Sequence, residues 1–166
     1  DCPQLKHVIA IDGGHADWPE YGQWRDSQTA TDPMLRVAPD DDVIQLYTSG
    51  TTGHPKGVQL TSANYLAIIK SATDMGLATY TPEDVVLIAM PIFHVAGVNI
   101  GVLTLAHGAR GIVLGDIDPQ EILSLIETKR INHAFLVPAV ILFLTQQPNV
   151  RQTDFSSLKI ISYGAS

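Results

Sequence analysis

Short apolar segments alternate with helix-like segments along most of this chain, and that alternation limits the fold more than any other feature. Strands are predicted at 43–47, 85–90, 110–114, 134–137 and 158–163, and helices at 63–75, 95–106 and 139–146. The segment 85–90 is nearly all apolar, which is typical of a strand buried on both faces of a sheet. The alternation predicts an α/β fold, a mostly parallel sheet flanked by helices.

Polar residues mark where two of the helices begin. Ser62 is the predicted N-cap of the helix at 63–75. Asp118, with Pro119 after it and Glu121 three residues on, predicts the start of another helix.

The first quarter of the chain lacks this alternation of strand-like and helix-like segments. His7–Ile11 is predicted as a short strand, and 12–42 is rich in glycine, proline and aspartate, which indicates irregular structure. We therefore expect a connecting segment with a short strand over 1–41 and the main domain over 42–166.

Composition excludes several classes of protein. The 166 residues are 45% hydrophobic and 16% charged, which suits a single domain with a sizeable core. Ten basic and 17 acidic residues give a net charge of −7, so the chain is a poor candidate for binding nucleic acid. The longest apolar run, 134–144, contains Pro138 and is shorter than the roughly 20 residues of a transmembrane helix. The single cysteine, Cys2, cannot form an internal disulfide, which favours a reducing, cytoplasmic location.

Both termini predict that the chain is part of a longer protein. It begins at Asp1 rather than at methionine, and it stops at Ser166, three residues after the apolar run 158–163. A processed or trimmed complete domain is the alternative.

The segment from Thr48 to Gly57 carries the clearest chemical signal. It contains three glycines, four hydroxyl side chains and the single lysine Lys56. Glycines allow several backbone N–H groups to converge on one anion, and hydroxyls add donors and can bind Mg²⁺. A lysine about 4 Å from a phosphate charge contributes roughly 4 kcal/mol at an effective dielectric constant near 20. The segment therefore predicts polyphosphate binding, and a simple hairpin turn is the alternative from the residues alone.

Three better-known loops do not fit this segment. A Walker A loop needs Gly-Lys-Ser/Thr, whereas Gly57 follows Lys56. The dinucleotide pattern G-x-G-x-x-G is absent from the segment, and Tyr47 stands where a nucleophile elbow around Ser49 would need glycine.

Residues 48–58, TSGTTGHPKGV, resemble the phosphate loop of the AMP-forming acyl-CoA synthetases, adenylation domains and luciferases. Two later segments resemble motifs of the same superfamily in the same order. PIFHVAG at 91–97 is similar to its substrate-pocket motif, and SYGAS at 162–166 is similar to the segment that borders its adenine and acyl pockets. The resemblance covers 42–166 well and 1–41 weakly.

The resemblance implies a ligase that works in two half-reactions. A carboxylic acid, fatty or aryl, attacks the α-phosphate of ATP and gives acyl-AMP and pyrophosphate. Coenzyme A then displaces AMP. No general base is implied for the first step, because a carboxylic acid with a pKa of about 4 to 5 is already ionised at neutral pH.

The resemblance also assigns roles to individual residues. His94 would lie beside the substrate carboxylate as the catalytic histidine, and it argues against an amino acid substrate, for which members usually carry aspartate. Thr48 would help to hold Mg²⁺ together with a residue outside the chain. Gly164, Ala165 and Ser166 would border the adenine or acyl pocket. The β- and γ-phosphates of ATP would be bound by Thr48, Ser49, Gly50, Thr51, Thr52, Gly53 and Lys56.

Other readings remain open at this point. The protein could be an acyl-AMP ligase that loads a carrier protein, or a nucleotide-binding module without catalysis. The family's later adenine motif, its ribose-binding aspartate and its C-terminal domain are absent from the sequence, so we expect these 166 residues alone to be inactive. The remaining histidines lack metal-ligand spacing, which argues against a transition metal: His7, His15, His54, His107 and His133. A homodimer and a peripheral association with a membrane are further expectations.

Overall fold

The computed structural model describes residues 4–11, 13–50 and 53–164. The chain forms two compact units, Asp1–Arg36 and Val37–Ser166, and each is described by itself.

Within its described residues, the first unit contains one short helix, α1 (Tyr21–Asp26), which the sequence did not predict. Glu20 caps it, since its side chain accepts a hydrogen bond from the N–H of Gln23 at 3.0 Å. The strand predicted at 7–11 is wrong: in this region only Ala10 forms a bridge, with Glu20. An apolar run needs a neighbouring strand to become part of a sheet, and none is available to these residues within the described part of the unit.

The second unit contains six strands and four helices in its described residues, and most alternate along the chain. In chain order they are β1 (Asp42–Thr48), β2 (Lys56–Thr61), α2 (Ser62–Asp74), β3 (Val85–Ile88), α3 (Val95–Ala106), β4 (Arg110–Val113), α4 (Pro119–Thr128), β5 (His133–Leu136), α5 (Pro138–Thr145) and β6 (Ile160–Tyr163). β1 and β2 form an antiparallel hairpin. The other four strands form a parallel sheet in the order β4-β3-β5-β6, which confirms the predicted α/β class.

The core of this unit lies on one face of the parallel sheet. All four residues of β3 are buried, as its apolar sequence predicts. Leu87 and Leu136 point to the face covered by α4 and α5, where Ile122 and Leu123 are fully buried. Alternate residues of a strand point to opposite faces, so His133 and Phe135 of β5 lie on the other face, with α3.

The start of α2 and the end of β3 are among the predicted boundaries that differ from the structure. The N-cap of α2 is Thr61 and not Ser62: its hydroxyl accepts from the N–H of Asn64, and the Asn64 side chain accepts from the N–H of Thr61. This reciprocal pair satisfies two free donors at once, which Ser62 could not do from inside the helix. β3 ends at Ile88, two residues earlier than predicted, because the chain turns before Pro91.

Across the described residues, no helix combines the length and the apolar character that a membrane crossing requires.

Candidate functional site

The order of the parallel strands defines a crevice at one edge of the sheet. β4 lies on one side of β3 and β5 on the other, so the chain leaves β3 and β4 in opposite directions. Ligands of open α/β sheets bind at such a reversal, outside the carboxyl ends of the strands. His94 follows β3, and Gly164 follows β6, so both lie at this edge.

The segment predicted to bind phosphate connects β1 to β2. Thr48 pairs with Lys56 at the end of the hairpin, and the N–H of Gly53 donates to the carbonyl of Gly50 at 3.4 Å. Gly50 has φ +65° and Gly53 has φ +82°, conformations that side chains with a Cβ rarely adopt. A Cβ on Gly50 would also overlap the carbonyl oxygen of His54. Two of the glycines are thus required by the turn itself.

The tip of this hairpin lines an open cleft and is not packed away as a connector. The cleft measures about 440 Å³ and is lined by Thr48, Ser49, Gly50 and Lys56. Three of these residues are exposed and Gly50 is half-buried. The arrangement places two hydroxyl residues, a glycine and a lysine around one open space. Thr51 and Thr52, also predicted to bind phosphate, lie outside the described residues, and Gly53 is exposed beside the cleft.

His94 begins α3 and is held in a defined orientation. Its Nδ1 accepts a hydrogen bond from the N–H of Ala96 at 3.2 Å, so the side chain caps the helix. In the neutral imidazole this places the proton on Nε2, which can then donate to a ligand. His94 is exposed and shares a cleft of about 290 Å³ with Thr48 and Tyr47. The structure therefore brings together the histidine and the phosphate segment.

Gly97 is a residue of the second motif whose importance sequence reasoning missed. It is buried in the first turns of α3, and a Cβ there would overlap the backbone oxygens of Met90 and Pro91. The glycine thus allows α3 to pack closely on the turn that carries His94. A glycine in the first turns of a predicted helix was the available signal, because glycine is costly there without a packing reason.

A second cavity of about 290 Å³ lies on the α3 face of the sheet. Its walls come from the segment 72–80, from α3 and from the paired strands β5 and β6. Gly164 lies at the carboxyl ends of the strands beside this cavity. A Cβ added to Gly164 would stand 3.6 Å from the ring of Phe135. Ala165 and Ser166 lie outside the described residues.

A buried polar cluster at the amino ends of the strands was also missed. Asp84 is 1% exposed and accepts from Lys159 Nζ at 2.6 Å and from the N–H of Thr81 at 2.9 Å. Burial alone raises the pKa of Asp84, but these hydrogen bonds and the nearby His133 and Lys159 outweigh it and lower the pKa to about 2. His133 is 4% exposed, and its Nε2 lies 3.4 Å from Oδ2 of Asp84. The sequence did contain a signal for this cluster, because a polar residue stands directly before each of two predicted strands: Asp84 before 85–90 and His133 before 134–137.

Comparison with known proteins places the chain in a family. The model of the AMP-binding enzyme family matches residues 1–166. The curated relatives include a fatty acid–[acyl-carrier-protein] ligase, ScoC, from Streptomyces coeruleorubidus, 34% identical over 88% of this chain and 29% of the relative. A 4-coumarate–CoA ligase from Pinus taeda is 34% identical over 81% of this chain and 26% of the relative. The chain therefore spans less than a third of the length of these relatives.

Solved structures agree with this placement. The inhibitor-bound N-terminal domain of FACL13 from Mycobacterium tuberculosis has a TM-score of 0.74 at 28% identity and covers 91% of this chain and 38% of that one. ATP-bound MatB from Rhodopseudomonas palustris also has a TM-score of 0.74 at 28% identity, covering 87% and 28% of the two chains. The sequence motifs, the fold and the family match agree: this chain belongs to the AMP-binding enzyme family.

Proposed function

We propose that this chain supplies the phosphate-binding and acid-binding part of an AMP-forming acid–CoA ligase. The enzyme would activate a fatty or aryl carboxylic acid with ATP to acyl-AMP and pass the acyl group to coenzyme A, releasing AMP and pyrophosphate. The observation that carries the proposal is the open cleft lined by Thr48, Ser49, Gly50 and Lys56 within the family's own motif.

The cleft suits the terminal phosphates of ATP. Hydroxyls and glycine N–H groups donate to phosphate oxygens, and the Lys56 ammonium group adds a positive charge. The proposed β- and γ-phosphate ligands are Thr48, Ser49, Gly50, Thr51, Thr52, Gly53 and Lys56. These groups bind the pyrophosphate as it leaves and so stabilise the charge that develops in the reaction.

Mg²⁺ fits this cleft. The ion usually takes only one or two protein oxygens and completes its shell with phosphate oxygens and water. Thr48 lines the same cleft as Lys56, and its hydroxyl would supply such an oxygen. When bound, the ion would offset the negative charge of the phosphates.

His94 and Gly164 would position the acid. The Nε2–H of His94 points away from the Nδ1 that caps α3, so it is free to donate to a carboxylate oxygen. Gly164 allows a ligand to approach the backbone beside the cavity next to Phe135, and Ala165 and Ser166 would continue this border. Catalysis would rest on orientation of the ionised acid against the α-phosphate.

A carrier protein is a second candidate for the acceptor. One relative at 34% identity is a fatty acid–[acyl-carrier-protein] ligase, whereas others are 4-coumarate–CoA ligases and a feruloyl-CoA synthase. Both acceptors take the acyl group from the same acyl-AMP. We favour coenzyme A because the CoA ligases are the more numerous of the two among these relatives.

Several finer expectations remain part of the proposal. These are a cytoplasmic location, association with a membrane surface, a homodimer, a role in fatty acid metabolism, and an AMP-binding subdomain over 42–166.

Calorimetric titration with Mg-ATP tests the proposal. Lys56→Ala should weaken binding at least tenfold, which corresponds to about 1.4 kcal/mol. Lys70→Ala is the matched control, because Lys70 is an exposed lysine on α2 that pairs with Asp74. If the wild type and Lys56→Ala bound Mg-ATP with equal affinity, the cleft would not be the phosphate-binding site.

A pyrophosphate-exchange assay tests whether these 166 residues alone form a complete active site. The 166 residues alone should give no exchange, because one wall of a nucleotide site cannot orient both the acid and the α-phosphate. Robust exchange by this chain would show that the active site is complete within it.

A further inference from the structure

An open cleft of about 560 Å³ lies at the amino ends of the parallel strands. Its walls come from the start of β4, from the turn between α4 and β5, and from the residues just before β6. His94 and Gly164 lie at the opposite ends of the strands, and the four residues of β3 alone separate the two ends by about 10 Å. A ligand bound in this cleft would therefore not touch the acid site proposed above.

The lining of this cleft is basic, although the chain as a whole is acidic. Of the chain's ten basic residues, four line the cleft, together with one acidic residue, Glu83. The four are exposed, whereas the whole chain carries a net charge of −7. We call this feature the basic cleft, after its basic residues Arg110, Lys129, Arg130 and Lys159. The acidic composition does not predict such a cluster, so the basic cleft needs an explanation of its own.

Two of these cations already have carboxylate partners. Lys159 is paired with the buried Asp84. Nη1 of Arg130 donates to Oδ2 of Asp154 at 2.6 Å. Arg130 also has φ +55°, a left-handed conformation that favours glycine and strains the backbone of other residues, and such strain is often found at binding sites. These two residues therefore shape the basic cleft without supplying it with uncompensated charge.

Arg110 and Lys129 carry the charge that is not offset in this way. Nη2 of Arg110 donates to the backbone carbonyl of Lys129 at 3.4 Å, which keeps the two residues side by side. Neither side chain forms an ion pair with any residue that the structure describes. Lys129 follows the carboxyl end of α4, whose partial charge offsets only about half of one positive charge. These two cations are therefore available to an anion.

Asn132 fixes the walls of the basic cleft relative to one another. Its Oδ1 accepts from the N–H of Val85 at 2.7 Å, and its Nδ2 donates to the carbonyl of Ser157 at 3.0 Å. Its backbone carbonyl accepts from the N–H of Lys159 at 2.8 Å. Asn132 thus joins the start of β3, the turn before β5 and the segment before β6. Walls that are fixed before binding reduce the entropy that a ligand must pay for order.

We propose that the basic cleft binds a phosphate monoester through Arg110 and Lys129, at a site separate from the cleft assigned to ATP. A phosphate monoester suits these residues better than a carboxylate, because it carries more negative charge and three terminal oxygens. Arginine binds two of these oxygens at once, and lysine adds a point charge. The monoester can belong to a soluble molecule or to a lipid headgroup, which present the same chemistry. The proposal does not depend on the ligase function.

NMR titration of the ¹⁵N-labelled chain with glycerol phosphate tests the site. Lys56→Ala serves as the background, so that the phosphate segment at 48–57 contributes little. The amide signals of Arg110 and of 129–132 should shift and saturate. Replacing both Arg110 and Lys129 with glutamine should weaken binding about tenfold, and each single replacement about threefold, since exposed charge pairs contribute modestly. Lys70→Gln is the matched control, because it removes an exposed lysine of α2 and should leave the affinity unchanged.

Two further probes identify the chemistry and the source of the phosphate. Acetate at the same ionic strength should bind at least tenfold more weakly than glycerol phosphate. Vesicles of phosphatidylcholine that contain phosphatidic acid test the lipid source by co-sedimentation, with pure phosphatidylcholine vesicles as the control. Binding of glycerol phosphate alone supports a soluble ligand, and binding of the phosphatidic acid vesicles supports a headgroup, provided that the double variant weakens either interaction.

Three results would overturn the proposal. The first is that neither glycerol phosphate nor the phosphatidic acid vesicles bind. The second is that the double variant binds them as tightly as the unmodified cleft does. The third is that acetate binds as tightly as glycerol phosphate, which would remove the selectivity for phosphate. Titration of the wild type with Mg-ATP is a separate measurement, so the failure of the basic cleft and the failure of the proposed function are distinguishable.

Discussion

Two glycines of α3 differ in their surroundings and so in what each can tolerate. A Cβ on Gly97 would overlap backbone oxygens of Met90 and Pro91, which cannot move without shifting the turn before His94. A Cβ on Gly101 would meet no atom within 4 Å. Both residues carry the same intrinsic cost of glycine in a helix, so their surroundings alone separate them.

Replacing these glycines with alanine should give effects of opposite sign. Gly97→Ala should lower the free energy of unfolding by about 1–3 kcal/mol, because the added methyl overpacks a rigid contact. Gly101→Ala should raise it by about 0.5–1 kcal/mol, since alanine restricts the unfolded chain and favours the helix. Urea denaturation of both variants provides the measurement. A Gly97→Ala variant as stable as Gly101→Ala would contradict the close packing of α3 on this turn.

The buried carboxylate of Asp84 should make stability depend on acid pH. Its pKa is about 2 in the folded protein against an ordinary 3.8, so the charged form is the one that folding stabilises. The stabilisation, about 2 kcal/mol, is fully present above the ordinary pKa and is lost as the pH falls through about 4 towards 2. The gap in stability between the wild type and Asp84→Asn should narrow over that range.

Asp154→Asn serves as the control for this effect. Hydrogen bonds from Ser156 and Arg130 also lower the pKa of Asp154 to about 2, but its side chain is half exposed. The contribution of Asp154 to the free energy of unfolding should therefore be smaller and should shrink in high salt, whereas the contribution of Asp84 should not shrink. A wild-type to Asp84→Asn gap that stays constant from neutral pH down to about pH 2 would be incompatible with a charged, buried Asp84.

At the scale of elements, the helix caps separate what the sequence predicted correctly from what it did not. Asp118 caps α4 as predicted, with Oδ1 accepting from the N–H of Gln120 at 2.8 Å. Thr61 caps α2 in place of Ser62, because Asn64 completes a capping box only with Thr61. Two adjacent hydroxyl residues look alike in the sequence, and the tertiary path of the chain decides between them.

Alanine substitutions at the two hydroxyl residues test the corrected cap. Thr61→Ala should cost about 1 kcal/mol, because a free N–H of the first turn loses its acceptor. Ser62→Ala should change stability by less than about 0.5 kcal/mol, since the residue lies within the helix and alanine is a good helix former. Thermal denaturation followed by circular dichroism measures both. The reverse order of effects would restore Ser62 as the cap.

The sequence predicts the helices and strands of the larger unit better than the local details of its site. The apolar run before Pro91 and the helix at 95–106 are predictable because burial and periodicity are local properties. The need for glycine at 97 depends on how α3 packs on the turn before it, and the meeting of Asp84 with Lys159 depends on strand pairing, so neither follows from burial and periodicity. The positions of Thr48 and Lys56 in one cleft follow from the hairpin, whereas their role in phosphate binding remains a prediction.

At the scale of the whole larger unit, scaffold and candidate site lie in different places. The buried cluster around Leu123 lies between the sheet and the helices α4 and α5. The phosphate cleft is an exposed feature at the tip of the β1–β2 hairpin. A substitution in the cluster should therefore change how much protein is folded without changing what the folded protein binds.

Leu123→Ala should accordingly change the stability of the fold, whereas Lys56→Ala should change the affinity for Mg-ATP. Leu123 is fully buried, so its truncation should lower the free energy of unfolding by about 2–5 kcal/mol. At a temperature where the variant is still folded, its affinity for Mg-ATP should equal that of the wild type.

Lys56→Ala should keep the wild-type melting temperature without ligand, because the side chain is exposed. It should lose most of the rise in melting temperature that saturating Mg-ATP produces, since that rise reflects binding to the folded state alone. If Leu123→Ala also weakened Mg-ATP binding under folding conditions, the cleft would have to be part of the cooperative core and not a separate surface.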